Sequence, residues 1–103
     1  MPTYDATEAF RRAFAKLDTR AAAAFMAAVA LFVQELDERG FTPPLHPSLT
    51  VHKLSGLDLW SLSFADGMRA VFELGAPIVE REVHVVWAFI GDHDAYERFC
   101  PTR

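Results

Sequence analysis

The hydrophobic period changes once along the chain, across a stretch that no helix can continue through. Before it, apolar residues recur every three to four positions; from Leu49 onward they recur at every second one. Between the two lie Gly40, Pro43 and Pro44. Glycine takes the positive φ that ends a helix, and proline has no N–H with which to extend one. Helices first and strands second is the order of an α+β domain. With 103 residues, 51% of them hydrophobic, the chain has material for one core and too little for two, so residues 1–103 are read as a single domain.

Asp5 followed by Glu8 has the spacing of a capping box, and Phe10, Phe14 and Leu17 share one helical face, which predicts a first helix over about Ala6 to Leu17. Pro2 to Tyr4 leaves room for a short edge strand, a point the sequence keeps open. Asp18 or Thr19 is placed to cap a second helix with the stripe Phe25, Val29, Phe32, Val33 and Leu36, its Gln34, Glu35, Asp37, Glu38 and Arg39 facing water. These two helices form a hairpin. Gly40 is expected as the left-handed residue after it, with Phe41 folded back on Leu36.

Strands are predicted over Val51 to Leu54, Leu59 to Ala65, Met68 to Leu74 and Val83 to Ile90, with turns at Ser55-Gly56, Asp66-Gly67 and Gly75-Ala76-Pro77. Val85 to Ile90 is apolar without alternation, the mark of an inner strand covered on both faces. The expected architecture is an N-terminal helical hairpin packed on a mainly antiparallel sheet of about four strands. A C-terminal turn or a bound partner is left to cover part of the second face.

Composition narrows the function classes. The apolar run Ala21 to Val33 falls short of the roughly 20 residues that cross a bilayer, and Met1 to Arg12 carries Asp5 and Glu8 without a hydrophobic signal core. Neither a membrane or lipid partner nor secretion is expected. The single cysteine, Cys100, cannot form an internal disulfide and has no evident histidine partner, which suits a reducing cytoplasm. A net charge of -4 has the wrong sign for gripping nucleic acid through bulk electrostatics, so any such contact has to be local. No phosphate-binding glycine loop, nucleophile elbow or zinc spacing occurs, and no cofactor or metal is expected.

What remains is a set of polar residues at strand ends: His52 and Lys53, Arg69, and His93 with Tyr96. Strands lie about 5 Å apart, so these side chains have the opportunity to converge on one face. They are the ingredients of metal-free RNA cleavage, in which a base takes the 2′-hydroxyl proton, a cation stabilises the phosphorane and an acid protonates the leaving oxygen. His52 and His93 suit the proton roles. Arg69 offers a planar fork to phosphate, Lys53 adds charge for RNA, and Tyr96 stacks on a base or assists proton transfer. Each has a plainer reading: a surface ion pair of Arg69 with Glu73 or Asp66, a solvated His93 between Asp92 and Asp94, and a His52 drawn beside the core with Leu54. His46 and His84 are read as structural, as is Trp60, which alternates with Leu62 and Phe64 like a core face.

The segments His52-Lys53-Leu54-Ser55-Gly56, Leu59-Trp60-Ser61-Leu62-Ser63-Phe64, Met68-Arg69-Ala70-Val71-Phe72 and Ile90-Gly91-Asp92-His93-Asp94-Ala95-Tyr96, in that order after two helices, resemble the RelE/ParE toxin superfamily of type II toxin–antitoxin systems. The resemblance spans nearly the whole chain and is nearest to the RelE, YoeB and YafQ-like branch that degrades mRNA. It implies a growth-arresting, metal-free, ribosome-dependent endoribonuclease without cofactor, acting in the cytoplasm, with a cognate antitoxin protein, the ribosome and mRNA as partners. It further implies that Arg69 contacts phosphate, that His93 and Tyr96 belong to the C-terminal catalytic segment, and that His52 stands where the YafQ-like branch has a functional histidine. Ser63 occupies a strand position where such toxins often carry arginine, and the chain is acidic where they are usually basic. The alternative class is therefore a non-nuclease binding protein of the same fold, either a ParE-like DNA gyrase inhibitor or a module that only binds an antitoxin-like partner.

Overall fold

A computed structural model describes residues 2–54 and 56–99; Ser55 and Cys100 lie outside the described residues. Thr7, rather than Asp5, starts the first helix. Its hydroxyl accepts from the Phe10 N–H at 3.1 Å, and α1 runs Glu8–Ala15. Asp5 is unavailable for that cap because it belongs to a strand, β1 (Thr3–Ala6), where its carboxylate accepts from the Ala6 N–H and from Arg11. The segment left open in the sequence is thus an edge strand.

α2 (Thr19–Arg39) begins at the expected Asp18, whose carboxylate accepts from the Ala21 N–H at 2.7 Å. Phe25, Phe32 and Leu36 are buried along it. Glu35 departs from expectation: it is only 6% exposed, and Arg39, one turn on, reaches it at 2.7 Å. Buried carboxylates require such a partner. Although its unbroken apolar run is short, α2 with 21 residues and a mean hydropathy of 1.3 is long and apolar enough, by length and composition, to cross a membrane. Alanines raise that average, while Phe25, Phe32 and Leu36 are buried against the sheet and Met26 is exposed.

Gly40 has the expected positive φ of 68° but a ψ of -171°, so the chain leaves α2 extended instead of curling back. Phe41 packs on Trp60 and Phe72, with ring centroids 4.8 Å and 6.0 Å away.

The remaining elements are β2 (Thr50–Lys53), β3 (Trp60–Phe64), β4 (Met68–Gly75), β5 (His84–Asp92) and α3 (His93–Phe99). The sheet has five strands in the order β1-β5-β4-β3-β2, one more than expected. It is antiparallel except for β1, which pairs parallel with β5, while α1 and α2 carry the chain from β1 to β2 at the opposite edge. The absence of alternation in β5 has a local cause. A bulge shifts the register between Val71 and Phe72, so that Phe72 faces Trp87 while Val71 faces Phe89 and Ala88 is extra. Trp87 and Ile90 therefore both join the core beneath α1 and α2, and Phe89 turns to the opposite face.

The helix-covered core is an aromatic cluster. Phe25 lies 5.3 Å from Trp87 and 5.2 Å from Phe64, and Phe32 lies 5.1 Å from Phe72, with edge-on or tilted rings as their quadrupoles prefer. On the other face a smaller cluster, Leu54, Val71 and Tyr96 with Leu57, Leu59 and Phe89, joins α3 and the β2–β3 loop to the sheet.

Candidate active site

The two-residue strand period sorts the candidate residues by face. Thr50, Ser63 and Arg69 form one row across β2, β3 and β4, and His52, Ser61 and Val71 form the next. Both rows lie on the face opposite α1 and α2, because Leu62, Ala70 and Phe72 between them fill the helix-covered core. Strand spacing and rise separate the Cα atoms of His52 and Arg69 by roughly 12 Å, a gap that their side chains and a phosphodiester fill. His52 is exposed while Leu54 on the same face is buried. The histidine is not drawn into the core, because β2 is the sheet edge and the small cluster stops at Leu54.

Arg69 is half-buried with its guanidinium carbon 4.8 Å from the centre of the Tyr96 ring. Neither Glu73 nor Asp66 pairs with it, and among the described residues no carboxylate lies within 4.0 Å of it. Glu73 shares its face but stands further along the strand, and Asp66 is exposed in the turn. Tyr96 is buried on α3, and its ring also packs on Phe89 at 6.4 Å. The tyrosine thus holds the arginine by a cation–π contact and leaves the fork's edge for an anion.

His93 opens α3. The Asp92 carboxylate accepts from the Ala95 N–H at 2.9 Å and thereby caps that helix, so this acid serves the backbone. The His93 ring lies 3.5 Å from the Glu97 carboxylate and remains largely exposed. A Cβ at Gly91, which stands opposite Arg69, would lie 2.9 Å from the Phe89 ring and 3.1 Å from the Ala95 Cβ. Absence of a side chain there lets α3 come down onto the sheet and brings Tyr96 over Arg69.

Lys53 is not part of this grouping: its register with Trp60 puts it on the helix-covered face, at the open edge. His84 is structural, buried with Nδ1 2.8 Å from the Thr3 hydroxyl, at the end of β5 remote from Asp92 and His93. His46 accepts from the Ser48 N–H at 3.0 Å. Trp60 is half-buried and packs against the core, the face its alternation indicates. Among the described residues no three His, Cys, Asp or Glu side chains gather in a way that would hold a metal ion.

One polar group that sequence reasoning passed over is Ser61. Its hydroxyl is fully buried on the candidate face and, among the described residues, has no hydrogen-bond partner. Alternation with Leu62 foretells which face it takes but not that α3 and the β2–β3 loop cover it.

No protein-family model and no curated protein matches the chain. Solved structures do. The toxin–antitoxin complex RelBE of E. coli matches with a TM-score of 0.60 at 17% identity, covering 89% of this chain and 96% of that one. The isolated E. coli RelE toxin matches at 0.59 and 18% identity over 96% and 99% of the two chains. YafQ of E. coli matches at 0.60 and 12% identity over 93% and 98%. At such identities the likeness reaches the path of the backbone and not the side-chain chemistry: this chain shares the fold of the RelE and YafQ toxins.

Proposed function

We propose that the protein is the toxin of a type II toxin–antitoxin pair and an mRNA endoribonuclease that works at the ribosome, with an antitoxin as its cognate partner. The observation that carries this reading is Arg69: half-buried, steadied by Tyr96, and without a carboxylate partner among the described residues, on the same face as an exposed histidine. A structural arginine in an acidic chain normally takes one of the available acids; a phosphate-binding one keeps its donors free.

In the proposed reaction one histidine, His52 or His93, takes the 2′-hydroxyl proton as the 2′-oxygen attacks the neighbouring phosphorus. Arg69 stabilises the charge that collects on the phosphorane oxygens. The bond to the 5′-oxygen breaks, and the second histidine or Tyr96 returns a proton to that oxygen. The products carry a 2′,3′-cyclic phosphate and a free 5′-hydroxyl. Catalysis needs no cofactor in this scheme.

Ser63 favours a second reading. It stands directly across from Arg69, where an additional cation would reinforce the phosphate site. A binding protein of this fold, including one that inhibits DNA gyrase, needs no such pair. Induction of the chain without its neighbouring reading frame, followed by primer extension on cellular mRNA, separates the two. Nuclease function predicts growth arrest with discrete new 5′ ends that vanish in Arg69→Ala; arrest without new ends supports the binding protein. Normal growth despite accumulation of folded protein excludes both toxin readings.

A further inference from the structure

The edge strand β2 borders a cavity of about 300 Å3 that shares only His52 with the candidate active site. Its walls include Trp60, Pro44, Leu45 and Val51, and Thr50 and His52 form its polar rim. That volume is at the lower end of small-molecule sites, roughly 300–1,000 Å3, and suits one planar ring system.

The backbone supplies the hydrogen-bonding groups. The Leu54 N–H donates to the Leu59 carbonyl at 2.9 Å, and the register pairs His52 with Ser61 and Val51 with Leu62. Bonded and non-bonded pairs alternate along an antiparallel ladder, so the N–H and C=O of Val51 point away from β3. β2 has no further neighbour, which leaves this donor and acceptor side by side at the open edge. A nucleobase presents the complementary acceptor and donor on its Watson–Crick edge, and an aromatic wall is where an unstacked base settles.

Charge distribution agrees. In a chain of net charge -4, no acidic residue occurs between Arg39 and Asp58, and that stretch carries Lys53, His46 and His52. Lys53 stands beside Trp60 in the register, on the cavity's side of the sheet. This is the place where an acidic molecule least repels a polyanion.

We propose that the cavity is a nucleobase subsite: one unstacked base of a single-stranded RNA stacks on Trp60, its Watson–Crick edge pairs with the Val51 backbone, and Lys53 faces its phosphate. The choice of ligand rests on the nuclease reading. The strand then runs from this pocket past His52 toward Arg69, so the pocket sets which nucleotide lies beside the cleaved bond.

The test is amide and indole NMR of the full chain titrated with adenosine 5′-monophosphate, uridine 5′-monophosphate and ribose 5-phosphate. Expected are saturable shifts at the Val51 amide and Trp60 indole with the nucleotides and none there with ribose 5-phosphate. Trp60→Leu should weaken nucleotide binding about tenfold, the effect of losing one base–aromatic stack. Because Trp60 also packs on Phe41, Val51→Pro provides a second variant: it deletes the outward donor while leaving every ladder hydrogen bond in place. Equal shifts with ribose 5-phosphate, no shifts at these residues, or unchanged affinity in a folded variant would overturn the subsite. RNA cleavage by a chain that shows no nucleotide shifts refutes the subsite and spares the nuclease; nucleotide shifts in a chain that cleaves nothing do the reverse.

Discussion

The two faces of the sheet are built on different terms. On one, α1 and α2 lay Phe10, Phe25, Phe32 and Leu36 against Phe64, Phe72 and Trp87, and these side chains are at most 7% exposed. On the other, a seven-residue helix and a loop cover only part of the strands, through a cluster of three buried residues, and Arg69, Ser63 and the exposed His52 stand beyond its margin. One face carries the fold's stability. The second trades burial for polar groups within reach of solvent, which is where strained or unpaired groups serve chemistry.

Substitutions that separate stability from function test this division. The largest stability effect is expected for Phe32→Ala, which empties a 1%-exposed site beneath Phe72 and Trp87 and should cost about 3–5 kcal/mol in denaturant unfolding. A loss near 1 kcal/mol would mean that the aromatic core refills easily and does not dominate. Gly91→Ala comes next, at about 1–3 kcal/mol, since the new methyl meets Phe89 and Ala95 and pushes α3 outward. It should also reduce toxicity, because Tyr96 no longer lies over Arg69. Full toxicity in this variant would show that the Arg69–Tyr96 contact is dispensable.

Arg69→Ala should lower stability by only about 0.5–1 kcal/mol, the scale of a partly solvated cation–π contact, while abolishing mRNA cleavage. Loss of toxicity through unfolding, read from circular dichroism and solubility, would return Arg69 to a structural role. The smallest effect is expected for Ser61→Ala. Its buried hydroxyl has no partner, so removal should leave stability unchanged or slightly raised. A drop of more than about 1 kcal/mol would reveal a hydrogen bond formed in solution, for instance to an ordered water.

Much of the helix-covered face was legible beforehand. The stripe of α2, the Asp18 cap and the alternation of Trp60, Leu62 and Phe64 are local patterns, and each has its expected place. The errors lay where a distant residue decides a local choice. Asp5 has the spacing of a helix cap, and nothing within Thr3–Ala6 reveals β5 as its parallel neighbour. The Phe41 ring meets Trp60 and Phe72, partners that no local pattern names. Glu35 looked like part of a solvated face until the burial of its helix flank and its pairing with Arg39 were seen.

The candidate site divides in the same way. Residue types and strand period are properties of the sequence, and they nominate Arg69, His52, His93 and Tyr96 as side chains able to converge on one face, while the register of β2, β3 and β4 puts Arg69 and His52 together. Only the tertiary structure decided that Arg69 rests on Tyr96 instead of pairing with Glu73 or Asp66, that Lys53 faces the other way, and that the Val51 backbone is left unpaired beside a cavity. Those outcomes depend on the bulge at Ala88, the close approach of α3 at Gly91 and the edge position of β2. Each joins segments far apart along the chain, and a periodicity is blind to such contacts because it records only neighbours within a turn or a rung.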